Sequence, residues 1–151
     1  MSESLSHLAH RVSDWLVRLD VDPERTAEGF WALRYGSTVV LVSLFEDDGR
    51  TFVRFASTML ARVHPGLDLI VRLLRLNTEV IFGAFQLFED NTISFTHTVC
   101  GDGLGFEDFR FTLAYVARVS DDHDEALQAL AGGYRAEDLL GYERLPPVEG
   151  G

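Results

Sequence analysis

The side chains with the most chemical potential fall in a few short strings. His7, His10 and Asp14 are spaced to lie along one flank of a helix, where two imidazoles and a carboxylate would offer ligands to a metal ion. Gly101, Gly103 and Gly105 sit between a strand-like and a helix-like segment, the setting of a dinucleotide-binding loop. Asp121, Asp122, His123, Asp124 and Glu125 form an acidic knot with the charge to attract calcium. His97 and Cys100 supply an imidazole and a thiol near the end of one strand.

None of these strings completes its chemistry. A third strong ligand for His7 and His10 is not evident, so terminal histidines on a solvated helix face are the reading of that flank. The glycine string has the spacing G-x-G-x-G, and the strand before it belongs to a hairpin rather than a parallel βαβ unit, so positive φ and a tight helix start explain it better than phosphate binding. The acidic knot lacks the EF-hand spacing and its glycine, which leaves a solvated helix face. His97 has no carboxylate or second imidazole on its strand face, so it reads as a core or dimer-interface histidine bonded to backbone. Nothing near Cys100 argues for a lowered thiol pKa, and a lone thiol performs no dithiol exchange. The expectation is no catalytic residue, no metal and no cofactor.

Charge and composition exclude more. All 13 basic residues are arginine, against 24 acidic ones, for a net charge of -11. Without lysine there is no Schiff base, no pyridoxal anchor and no Walker-type lysine. A net negative field repels phosphate, so nucleic acid is not expected as a partner. No run approaches the roughly 20 apolar residues of a spanning helix. The N-terminal residues lack the order of a signal peptide. A single cysteine fits a reducing cytoplasm.

The elements that must position these groups are legible from periodicity. Leu5, Leu8, Val12, Trp15, Leu16 and Leu19 predict an amphipathic helix over 4–19, ended by Pro23. Strands are predicted over 30–35, 38–46 and 51–60, joined at Gly36-Ser37 and at Asp47 to Arg50. A helix over 67–78 carries Leu67, Ile70, Val71 and Leu74 on one side. Strands over 81–89 and 92–100 reverse at Asp90-Asn91, and Phe106, Phe109, Leu113, Val116, Leu127 and Leu130 continue one helical face to Gly132. Residues 1–131 thus form one domain, and 132–151 a short helix over 136–140 and a tail. The order α-β-β-β-α-β-β-α predicts an α+β fold with a five-stranded antiparallel twisted sheet and helices mainly on one face.

Leu76-Asn77 at a helix end, Phe82-Gly83-Ala84-Phe85 in the next strand, His97-Thr98, and Gly101-Asp102-Gly103-Leu104 before an acidic helix resemble the YbjN family. The resemblance covers about 60 residues, 66–125, with agreement in element order before them. Members share the fold of class I type III secretion chaperones. The resemblance implies a homodimer that binds another polypeptide, chaperone-like or as a regulatory adaptor, with the client unidentified.

The sheet adds a reading of its own. Even-numbered turns put Trp31, Leu33, Tyr35, Val40, Val42, Leu44, Val53 and Phe55 on a core face. The opposite face holds Phe30, Arg34, Phe45, Phe52 and Arg54 among small apolar residues, the composition of a protein interface. Either a partner covers it, or the N-terminal helix or the tail does. An even loop in the second hairpin places Phe82, Ala84, Gln86, Phe88, Ile93, Phe95, His97 and Val99 together. Phe82, Phe85 and Phe88, with the helix over 67–78, are the expected dimer contact. The competing reading is a small-ligand sensor or enzyme with a closed pocket between helices and sheet.

Overall fold

The computed structural model describes residues 1–135; the helix expected over 136–140 and the tail lie outside the described residues. The elements are α1 (Glu3–Arg18), β1 (Glu24–Arg25), β2 (Trp31–Tyr35), β3 (Thr38–Asp47), β4 (Arg50–Ala61), α2 (Leu67–Leu76), β5 (Ala84–Leu87), β6 (Ile93–Cys100), α3 (Phe106–Ala131) and β7 (Tyr134–Arg135). The α+β class and the order of the long elements are as the sequence predicts. Two strands of two residues each, β1 and β7, raise the expected five to seven. Such stubs are too short to carry a hydrophobic period.

Across the sheet the order is β1-β2-β3-β4-β6-β5, with β7 on the end of β4 and every pair antiparallel. Tyr35 pairs with Thr38 and Asp47 with Arg50, so both early turns hold two residues. The second turn is shorter than the four residues expected, but parity is unchanged and so are the faces. Trp31, Leu33, Val40, Val42, Val53 and Phe55 are buried on the core face, with Tyr35 and Leu44 packed at its margin.

Helix α1 lies on that face. Leu8, Val12 and Leu16, four residues apart, are its buried positions. The Ser2 hydroxyl accepts from the Leu5 N–H at 3.0 Å and caps its start. Phe109, Leu113, Val116 and Leu127 bring α3 onto the same side, whereas Leu130 is exposed.

The second hairpin departs from the expected register. Phe85 pairs with Phe95 and Leu87 with Ile93, so Phe85 and Leu87 join Ile93, Phe95 and His97, while Ala84 and Gln86 oppose Thr96 and Ser94 on the other face. The turn is the cause. Phe88 donates to Thr92, Asn91 donates to Phe88, and Asn91 adopts a left-handed φ of 62°, which makes a three-residue turn where an even one was expected. One residue of slip moves every side chain to the other face.

The chain before β5 is not strand. Ile81 donates its N–H to the Tyr115 hydroxyl at 2.8 Å, and Gly83 turns with φ 82°. A Cβ at Gly83 would stand 2.7 Å from Phe95 Cζ, so only glycine passes there without strain.

Candidate functional site

Phe45 and Phe52 face each other across β3 and β4 on the sheet surface away from α1 and α3. Their rings stack at 5.2 Å and 18°. Arg54, two residues along β4, lays its guanidinium over Phe45 at 4.6 Å and donates to the Thr98 hydroxyl at 3.3 Å. All three are half-buried. The pleat dictates the cluster, because residues 52 and 54 share a face of β4 and position 45 is the cross-strand neighbour of 52. Aromatic stacking and cation–π contact each contribute about 1 kcal/mol, so the three side chains already meet in the free chain.

The other residues expected with this cluster are more distant. Phe30 precedes β2, one step beyond the Trp31–Val42 pair. Arg34 is exposed and pairs with Val39, six residues along β3 from Phe45, or about 20 Å in an extended strand. The face is therefore a track with Phe45, Phe52 and Arg54 at one end and Arg34 at the other. Among the described residues, α1, α2 and α3 do not cover it, since their buried residues belong to the core cluster on the opposite face.

Around the second hairpin the aromatics separate. Phe85 is buried in the single chain at 4% exposure, with Phe95 at 4.9 Å. Phe82 is half-buried and stacks on His97 at 4.2 Å, with Tyr115 at 4.5 Å and Phe111 at 6.1 Å. Phe88 is half-buried next to the turn. Among the described residues His97 makes ring contact rather than the backbone hydrogen bond expected of it. Burial holds its pKa below the ordinary value, which keeps the imidazole neutral.

His97, Phe82, Phe111, Asp102 and Asp108 line a cleft of about 520 Å³ that is open rather than enclosed. In the glycine string only Gly101 is held by packing, whereas Gly103 turns with φ 77° and Gly105 stands at the start of α3. A Cβ at Gly101 would meet Leu8 of α1 at 2.5 Å and the Thr51 hydroxyl at 2.7 Å. Arg11 of α1 donates to the Leu104 carbonyl in the same loop.

The acidic knot divides. Asp121 and Asp124 both accept from the Ser37 hydroxyl, at 2.8 and 3.0 Å, which fastens the β2–β3 turn to α3. Asp124 is buried, contrary to the solvated face expected of it, and Arg135 stands 3.9 Å away. Burial raises its pKa against the opposing pull of Ser37 and Arg135.

The outside of α2 carries the stripe that the sequence places on one side of the helix over 67–78. Leu69, Leu73 and Leu76 face the core, so Leu67, Ile70 and Leu74 point outward at 76, 43 and 64% exposure. Ile81 is exposed beyond the helix end. Seven of the ten residues of α2 are apolar, more than the three or four per two turns that one buried stripe uses, and that excess was the available signal. Among the described residues no helix is long and apolar enough to cross a membrane.

A family model described as T3SS (YopN, CesT) and YbjN peptide-binding chaperone 1 matches residues 6–139. No curated protein sequence matches the chain. Among solved structures, a chain of the ExsC–ExsE complex is similar at TM-score 0.65 and 16% identity, covering 84% of this chain and 97% of that one. The Escherichia coli YbjN, described as a putative transcription regulator, is similar at TM-score 0.61 and 15% identity, covering 80% and 91%. A chain of the HopA1–SchA chaperone–effector complex is similar at TM-score 0.64 and 9% identity, covering 83% and 98%. At these identities the likeness concerns the fold.

Proposed function

The chain belongs to the family of T3SS and YbjN peptide-binding chaperones, and from that premise we propose that it is a non-enzymatic, dimeric adaptor holding an extended polypeptide on its outer sheet face. The observation that carries this reading is the stacked Arg54–Phe45–Phe52 cluster on the face away from the helices. Rings already held in place lose little rotamer freedom on binding, and Arg54 adds a planar donor for carbonyls or carboxylates.

An extended segment running from this cluster past Phe30 towards Arg34 spans about 20 Å, or roughly six residues. Beyond Val42, β3 is paired on its β4 side alone among the described strands, so a client strand can also add its backbone along the Phe45 stretch. Homodimerisation is assigned to the outer stripe of α2, flanked by Phe82 and Phe88. A reducing cytoplasm is the proposed location. The open form of the His97 cleft supports the small-ligand reading less than the sheet supports a polypeptide.

The test is capture from native cytoplasm, followed by titration of the captured chain against the parent and against Phe52→Ala/Arg54→Ala. Weakening by more than tenfold, roughly 1.4 kcal/mol, is expected with a cooperative melt retained. Equal affinity for the two proteins defeats the reading.

A further inference from the structure

The two edges of the sheet differ, and one side chain makes the difference. In an antiparallel strand the N–H and C=O of alternate residues point to opposite neighbours. Phe88 donates to Thr92, the residue before β6, so by alternation Gln86 and Ala84 bond inward to β6, and Phe85 and Leu87 point their backbone groups off the free edge. Asn77, just past the end of α2, meets Phe85 there. Its Oδ1 accepts the Phe85 N–H at 2.6 Å, and its Nδ2 donates to the Phe85 carbonyl at 3.2 Å. A side-chain amide thus makes both hydrogen bonds that a residue of an added strand would make.

We propose that Asn77 is a strand surrogate that closes the β5 edge, so that a polypeptide strand joins this sheet only at its opposite side. The inference rests on the polypeptide-binding reading for its consequence, but its mechanism needs no client. An edge strand left open is a template for pairing with any extended chain, including a second copy. With Asn77 in place only Leu87 offers unpaired groups among the described residues of the edge, and one residue does not hold a strand. With Asn77 removed, Phe85 and Leu87 together present an unbroken row. The same lock obliges two copies to associate through side chains, as on α2, rather than by joining their sheets.

The experiment compares the parent with Asn77→Ala and Asn77→Asp, the latter keeping an acceptor for the Phe85 N–H. Site-resolved amide exchange and concentration-dependent mass by light scattering are measured on the full chain, without client. Asn77→Ala is expected to exchange the Phe85 amide about tenfold faster, the equivalent of one hydrogen bond, and to form species larger than the parent's with added strand signal. Asn77→Asp is expected to keep Phe85 protected and the parent's mass. Unchanged exchange at Phe85 in Asn77→Ala overturns the surrogate bond. Faster exchange with the parent's mass at every concentration overturns edge closure and leaves Asn77 a local brace. Should Asn77→Ala fail to fold, Asn77→Ser, which loses the reach to Phe85 but stays polar, carries the same two readouts. Loss of client binding in Phe52→Ala/Arg54→Ala is a separate observation, so the two ideas fail separately.

Discussion

His97 sits where a positive charge is costly, half-buried and stacked on Phe82. Its folded pKa lies below the ordinary 6.5 because burial penalises the imidazolium. Above about pH 6.5 both folded and unfolded chains hold it neutral, and it gives no pH dependence. As the pH falls below that value the unfolded chain takes up the proton first, so stability is lost down to the folded pKa. The parent's melting temperature should therefore fall between about pH 7 and pH 5 more steeply than that of His97→Phe, which keeps the ring contact and removes the titration. Parallel pH profiles count against it. Asp124 works in the other direction: with its pKa raised by burial, it favours the folded state on the acid side and loses that contribution as the pH rises through the folded value.

Among the elements, the first three strands were legible because the two residues found at Asp48-Gly49 and the four expected there are both even, as is the turn at Gly36-Ser37. The second hairpin was not, since a three-residue turn and a two-residue turn share the same Asp90-Asn91 signal and differ only in whether Asn91 takes a left-handed φ. The β4 bulge between Thr58 and Leu60 was equally silent in the sequence, and it lets Met59 and Leu60 both enter the core. Of the candidate site, the shared face of Phe45, Phe52 and Arg54 followed from strand period and an even turn; the distance of Arg34 needed the register. Gly83 tests the entry of the chain into β5. Gly83→Ala must hold a Cβ at positive φ against Phe95 and the Thr96 carbonyl, at an expected cost of about 1–3 kcal/mol in urea unfolding. A midpoint equal to the parent's would mean the turn relaxes freely. The outer stripe of α2 gives the other test at this scale. Leu67→Glu/Leu74→Glu should halve the mass of a dimer while leaving the secondary structure and cooperative unfolding of the single chain intact, because both side chains face out of it. A mass equal to the parent's at micromolar concentration removes α2 from the contact.

For the whole molecule, net charge and apolar surface act against each other in association. Two copies each carrying a net charge of -11 repel at long range, whereas Leu67, Ile70 and Leu74 present apolar area that gains by leaving water. Salt separates the two terms. Screening shortens from about 10 Å at 0.1 M to about 3 Å at 1 M, which removes the repulsion and leaves the apolar gain in place. Self-association by the α2 stripe should accordingly tighten with salt, whereas a contact made by ion pairs would loosen. The Arg54–Phe45–Phe52 cluster lies away from α2 on the outer sheet face, and residues without shared partners behave additively. Phe52→Ala, which changes the cluster without changing the net charge, should therefore leave the salt dependence of the mass unchanged. Sedimentation equilibrium of the parent and that variant at low and high salt measures both expectations. A dissociation constant that rises with salt would assign the contact to charged side chains and take the α2 stripe out of the assembly.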